Sequence, residues 1–261
     1  MSVHPAVRTI PAAPVFDERP FPRRIGLVVL ATDHTSEDDF RRLVAAAGIG
    51  VHVARIPYEN PTTPENLRRM QPALAAGAAL ILPGEPLDAI CYSCTAASVV
   101  IGDDDVAAAL HLGKPGAPVV TPPLAAVAAL GGFGVRRIGV LTPYLPETAS
   151  PMATYFERRG FDLASFNCLG MDDDREMARI SYSSLIDIAV ETTDPSAEAL
   201  FISCTALRAA AVAPEIERRI GRPVVTSNLA SAWACLRLCG DETARPEFGR
   251  LMTLPLERRQ L

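Results

Sequence analysis

The chain has no apolar run approaching the ~20 residues that a bilayer-spanning helix requires, which argues against a membrane role. It also has no concentrated block of lysine and arginine. Its 25 basic residues are scattered and outnumbered by 30 acidic ones, for a net charge of −5. Nucleic acid, whose phosphates need clustered cations, is therefore not an expected partner. Only four histidines occur, at positions 4, 34, 52 and 111, without ligand spacing, whereas a structural zinc site needs four ligands. The first 24 residues carry five prolines and lack the continuous apolar core of a signal peptide. They read as a loosely ordered arm, and a cytoplasmic location is expected.

What is present describes a globular α/β protein: 261 residues, 49% of them hydrophobic and 6% aromatic. That length buries a substantial core without disulfides or metal. In a reducing compartment the six cysteines should be mostly buried thiols, any exception being reactive. Short β-branched runs alternate with longer helical patterns, as in βα units with a mainly parallel sheet. The first strand is expected over 25–30, IGLVVL, followed by a helix that Ser36 can cap. VHVARIP (51–57), LDAICYS (87–93) and PVVTP (118–122) complete four strands, with a capped helix near TTPENLRRM (62–70).

The order then restarts. Arg23-Arg24-Ile25-Gly26 recurs from Arg136, DAICYSCTA from Asp88 recurs as EALFISCTA from Glu198, and PGAPVVTP from Pro115 recurs as IGRPVVTS from Ile220. Three landmarks in the same order, at offsets of 113, 110 and 105 residues, indicate a duplicated half and hence two lobes. The expected architecture is two pseudo-symmetric Rossmann-like lobes, each with a four-stranded mainly parallel sheet flanked by helices. Residues 25–120 plus 228–261 form the first lobe and 121–227 the second. Ligands on such sheets sit beyond the carboxyl ends of the strands, which places a site in the interlobe cleft.

Both Ser-Cys-Thr-Ala motifs fall at that edge. Cys94 and Cys204 are each expected at a strand-to-helix junction, where a helix N-terminus lowers a thiol pKa below ~8.5 and offers free N–H groups to an anion. Facing each other across a cleft, two thiols suit proton removal from one face of a carbon and delivery to the other, or thiolate addition and release. The CxxC of Cys91 and Cys94 is not a redox pair on this reading, because the repeat puts Phe201 where Cys91 stands. Gly131-Gly132-Phe133-Gly134 precedes a strand and reads as a turn, not a nucleotide loop.

RIGLVV near the start, a strand ending in SCT, LTPY at 141–144, a second SCTA and PVVTSN at 223–228 together resemble the aspartate/glutamate racemase superfamily. Within it the chain is most similar to the branch of maleate cis–trans isomerases, arylmalonate decarboxylases and the ectoine-utilisation protein A group, over about residues 23 to 240. The resemblance implies a cofactor-independent enzyme acting on a small carboxylate or amino-acid-like substrate, and a homo-oligomer is compatible with it. It makes Cys94 the first-lobe nucleophile or base and Cys204 its partner, with Tyr144 hydrogen-bonded to a substrate carboxylate. Thr95, Thr205 and the amides after the cysteines, Ala206 among them, complete an oxyanion cradle.

Two departures bear on substrate. Asp33 and Asp174 stand where maleate isomerases carry asparagine. An asparagine donates to a carboxylate, whereas an ionised aspartate only accepts. The exchange disfavours a bare dicarboxylate and favours a substrate with an ammonium beside its carboxylate, such as an ectoine-derived amino acid. Asp33 equally fits a helix cap or turn, and His34 beside it reads as solvated. Racemisation, maleate-type isomerisation through Cys94, and ligand binding without turnover stay open at this point. Decarboxylation fits less well, because arylmalonate decarboxylases have glycine at the first-lobe cysteine position.

Overall fold

The computed structural model describes residues 5–257. Residues 5–22 form neither helix nor strand and are exposed. The first half runs β1 (Arg23–Leu30), α1 (Ser36–Val44), β2 (Ile49–Ile56), α2 (Pro64–Arg68), α3 (Gln71–Leu80), β3 (Ala89–Tyr92), α4 (Thr95–Ile101), α5 (Asp103–Gly113), β4 (Val119–Val120) and α6 (Pro122–Gly132). The second runs β5 (Arg137–Tyr144), α7 (Pro146–Glu157), β6 (Asp162–Met171), α8 (Asp174–Met177), α9 (Tyr182–Thr192), β7 (Ala199–Ile202), α10 (Ala209–Ile220), β8 (Val224–Thr226) and α11 (Ser227–Leu238). None of the described helices is long and apolar enough to cross a membrane.

Each half forms one parallel four-stranded sheet, in the orders β2-β1-β3-β4 and β6-β5-β7-β8. The repeat holds in register: Ile25 pairs with Ala89 as Ile138 pairs with Ala199. β1 is buried from Arg24 to Leu30 without alternation, as expected of a parallel strand covered on both faces. The helices after the two short fourth strands cross between halves. α6 packs against β8 as well as α4, and α11 packs against α1, β3 and α6. The cores thereby join into one cluster in which Trp233 of α11 is fully buried.

Two local expectations change. Ser36 is the first residue of α1 rather than its cap. Thr35 occupies the cap position without a side-chain cap bond, and Asp33 two residues before it holds the turn into the helix, its Oδ1 accepting from the N–H groups of Thr35 (3.0 Å) and Ser36 (2.8 Å). The second SCTA does not run directly into a helix, since 205–208 are a turn and α10 starts at Ala209. The physical reason lies at Cys204, whose φ of +104° directs the chain away from a helical start.

Candidate active site

β3 delivers the chain into Ser93 and then Cys94, which is extended (φ −152°, ψ 106°) and precedes the first turn of α4. The Cys94 carbonyl opens that helix by accepting from the Ser98 N–H at 3.0 Å and the Ser98 hydroxyl at 2.7 Å. In the other half β7 delivers Ser203 and Cys204. The two turns touch directly: Thr205 Oγ1 donates to the Ser93 carbonyl at 3.2 Å, and Thr35 Oγ1 donates to the Ala206 carbonyl at 2.8 Å.

One small cavity lies where the strands end. It is lined by Leu30 of β1, Cys94 after β3, Tyr144 of β5, Asp174 after β6, and Cys204, Thr205 and Ala206 after β7. The carboxyl edges of both sheets therefore converge on one point. The cavity volume is about 20 Å³, room for about one water. A substrate of even four carbons enters only when the walls part.

The structure brings together Asp33, Cys94, Tyr144, Asp174, Cys204, Thr205 and Ala206. Thr95 lies outside this lining, its buried hydroxyl donating instead to Ser227 Oγ at 2.7 Å. Thr205 lines the cavity with its hydroxyl engaged on Ser93. The sequence reading missed Leu30, Tyr58, Thr62, Leu67 and Ala96 as lining residues. Tyr58 had a signal, since it stands two residues beyond β2 at the same carboxyl edge as Tyr144. His34 is exposed, and Cys91 is fully buried within β3.

Burial dominates the electrostatics. It pushes the Cys94 thiol up to about 12, against the Ala97 N–H, which stabilises the thiolate. It pushes Cys204 up to about 11, against the Tyr144 hydroxyl and the N–H groups of Ala206 and Leu207. The expected lowering below ~8.5 is thus overturned, because the residues are 6% and 5% exposed and losing water outweighs the local dipoles. Burial also raises Tyr144, which keeps its proton and remains a donor.

Asp33 and Asp174 are both buried. Asp33 accepts three bonds from its own loop, the third from Ser36 Oγ at 2.7 Å, and burial raises its pKa despite them. Asp174 is held across the lobes by the Thr32 hydroxyl and by Asn60 Nδ2 at 2.7 Å. Among the described residues the lining contains no Lys, Arg or His. Among the described residues no group of three or more His, Cys, Asp and Glu side chains is placed to hold a metal ion. The arrangement offers two thiols, a phenol, backbone N–H groups and two carboxyls around a narrow, largely buried space.

Comparison with known proteins agrees with this geometry. The chain is 32% identical to the arylmalonate decarboxylase of Bordetella bronchiseptica over 139 residues, spanning 52% of this chain and 58% of that protein. It is 28% identical to the maleate isomerase of Nocardia farcinica over 241 residues, 88% of this chain and 95% of that one. A cysteine-to-serine mutant of the Nocardia farcinica maleate cis–trans isomerase, solved with a covalently bound succinylcysteine intermediate, superposes with a TM-score of 0.81 at 27% identity over 88% of this chain and 98% of that one. The family profile described as arylmalonate decarboxylase matches residues 92–252, which take in both cysteine turns and Tyr144. The chain therefore belongs to the arylmalonate decarboxylase family, in the Asp/Glu racemase-like branch that also holds the maleate isomerases.

Proposed function

We propose that the protein is a cofactor-independent racemase or isomerase acting at a carbon next to a carboxylate, on a small amino-acid-like compound, with Cys94 and Cys204 on opposite faces of that carbon. The observation that carries this reading is the meeting of two buried thiols, one from each lobe, in a single narrow cavity beside Tyr144. A thiolate on one side takes the α-proton. The electron pair moves into an enediolate stabilised by the Tyr144 hydroxyl and the turn N–H groups. The opposite thiol then returns a proton to the other face, so that the two sulfurs end with their protonation exchanged. A desolvated thiolate is a strong base once formed, and with the two thiols raised to about 12 and about 11 its formation near neutral pH depends on a cationic group arriving with the substrate.

Asp33 and Asp174 support this substrate class, in a lining that among the described residues holds no cation. An ammonium group on the substrate balances those carboxyls and favours the thiolate form of the nearby cysteines. An ectoine-derived amino acid meets that description. Incubating single enantiomers in deuterated water tests the reading. The wild type is expected to exchange the α-hydrogen and lose chirality, and Cys94→Ala and Cys204→Ala to retain ligand while losing racemisation. Unchanged behaviour of both variants would sink the catalytic assignment.

A second reading has its own support, the likeness to the Nocardia enzyme over 88% of the chain and the succinylcysteine in that enzyme's structure. In it Cys94 adds to the double bond of a cis-dicarboxylate, the C–S bond forms as the π bond is lost, rotation follows, and elimination restores thiolate and trans alkene. Mass spectrometry of Cys204→Ser after exposure to maleate separates the two. One maleate retained on Cys94, without α-exchange in the wild type, selects the addition route.

A further inference from the structure

The two cysteine turns are alike in sequence and unlike in backbone. The Cys94 N–H closes on the Tyr92 carbonyl at 3.0 Å. Cys204 stands at φ +104°, and among the described residues only Leu82 is the other non-glycine residue with positive φ. A side chain is strained in that region, and surroundings must hold it there. The Cys204 N–H leaves its own turn and donates to Ser227 Oγ at 3.0 Å.

Ser227, the first residue of α11, is fully buried. Its hydroxyl also accepts from Thr95 Oγ1, beside Cys94, at 2.7 Å. The next residue, Asn228, donates to the Thr205 carbonyl at 3.0 Å and to Asp39 Oδ2 at 2.9 Å. The start of α11 therefore grips the N–H on one side of the Cys204–Thr205 peptide and the carbonyl on the other. The repeat isolates what is special here: PVVTS in the second half corresponds to PVVTP in the first, so Ser227 stands where the first half has Pro122. Proline has no hydroxyl, and the first half has no such clamp.

We propose that Ser227 is a positioning residue whose hydroxyl holds Cys204 in its left-handed conformation, ties that turn to Thr95 of the opposite turn, and makes the two thiols inequivalent. Held this way, the Cys204 sulfur sits among the Tyr144 hydroxyl and the Ala206 and Leu207 N–H groups, whereas Cys94 has the Ala97 N–H. The consequence for chemistry rests on the two-thiol reading above: Cys204 is the thiol of the pair that ionises first, and Cys94 keeps its proton to higher pH. Without the Ser227 hydroxyl the backbone relaxes toward ordinary φ, the sulfur swings off its donors, and its thiolate fraction falls.

The test needs no substrate. Alkylation of the full chain by iodoacetamide at mildly alkaline pH is followed at Cys94 and Cys204 separately by mass spectrometry. Ser227→Ala is expected to slow Cys204 about tenfold relative to Cys94, the size of a one-unit rise in thiol pKa. Ser227→Thr, which keeps the hydroxyl, restores the wild-type ratio. Should Ser227→Ala not fold, Ser227→Cys takes its place, keeping the volume with only a weak sulfur acceptor, and the same selective slowing is expected. An unchanged ratio, an equal change at both thiols, or failure of threonine to rescue overturns the proposal. A shifted ratio in a protein that racemises nothing leaves the positioning role standing and removes the racemase reading instead.

Discussion

Asp33 carries its carboxyl in a place water hardly reaches, where it both lines the cavity and holds the turn before α1. Burial raises its pKa, against the Ser36 hydroxyl and N–H, the Thr35 N–H and the Arg55 guanidinium. With the folded value above the unfolded value near 3.8, the native state holds a proton that the unfolded chain has released. Its contribution to stability is therefore full below the unfolded value and is lost as pH rises through the folded one. An asparagine keeps the Oδ1 acceptor for the Thr35 and Ser36 N–H groups, and the Ser36–Ser93 hydroxyl pair can reverse direction to receive the new N–H. Asp33→Asn is expected to match or exceed the wild type at neutral pH and to flatten the decline that sets in above the unfolded value near 3.8. Urea unfolding across that range checks it. In the same variant turnover should shift toward dicarboxylates, because one carboxyl facing the substrate is gone.

At the scale of elements, the loop after β2 shuts the site. Asn60 Nδ2 donates to Asp174 Oδ1 at 2.7 Å and Asp173 Oδ1 at 3.0 Å, and its Oδ1 accepts from the Asp174 N–H at 3.2 Å. The Thr62 N–H bonds the Asp172 carbonyl, and Thr148 Oγ1 donates to the Thr62 carbonyl at 2.8 Å. Asn60→Ala strands a buried carboxylate without one of its donors and should cost about 2–3 kcal/mol in urea unfolding. It should also speed alkylation of Cys94 and Cys204 by a similar factor, in contrast to the selective effect expected at Ser227. None of this latch was legible in the sequence, because Asn60 and Asp174 are 114 residues apart and no repeat links them. The strands, their duplication and both cysteines were legible, since apolar runs and repeated motifs are local patterns. What failed was the extrapolation from a likeness of motif to a likeness of backbone. SCTA enters a helix once and a left-handed turn once, and the difference is imposed by Ser227, a residue distant in the chain.

For the whole molecule, joining two halves over one site means burying groups that ionise late. Burial pushes Cys94 up to about 12, Cys204 to about 11 and Cys239 to about 12 from an ordinary 9.0, and it raises Cys235 and Tyr58, Tyr92, Tyr144 and Tyr155 as well. Below the ordinary thiol value both native and unfolded chains hold these protons, and the groups leave stability unaffected. Above it the unfolded chain releases protons that the native chain keeps, so stability falls as pH rises toward the folded values. A thiol shifted by two units accounts for about 2–3 kcal/mol once fully expressed. The denaturation midpoint, measured under reductant, is expected to hold nearly constant from about pH 7 to 8 and to drop steeply beyond about pH 9. Replacing both Cys94 and Cys204 by alanine removes two of the late-ionising groups and should make that drop shallower by a few kcal/mol, even though the double variant starts from a lower stability at neutral pH. Parallel declines in the wild type and the double variant would mean that the two thiols ionise in the folded protein as they do in the unfolded chain. The burial of both thiols would then not be the state the protein occupies in solution.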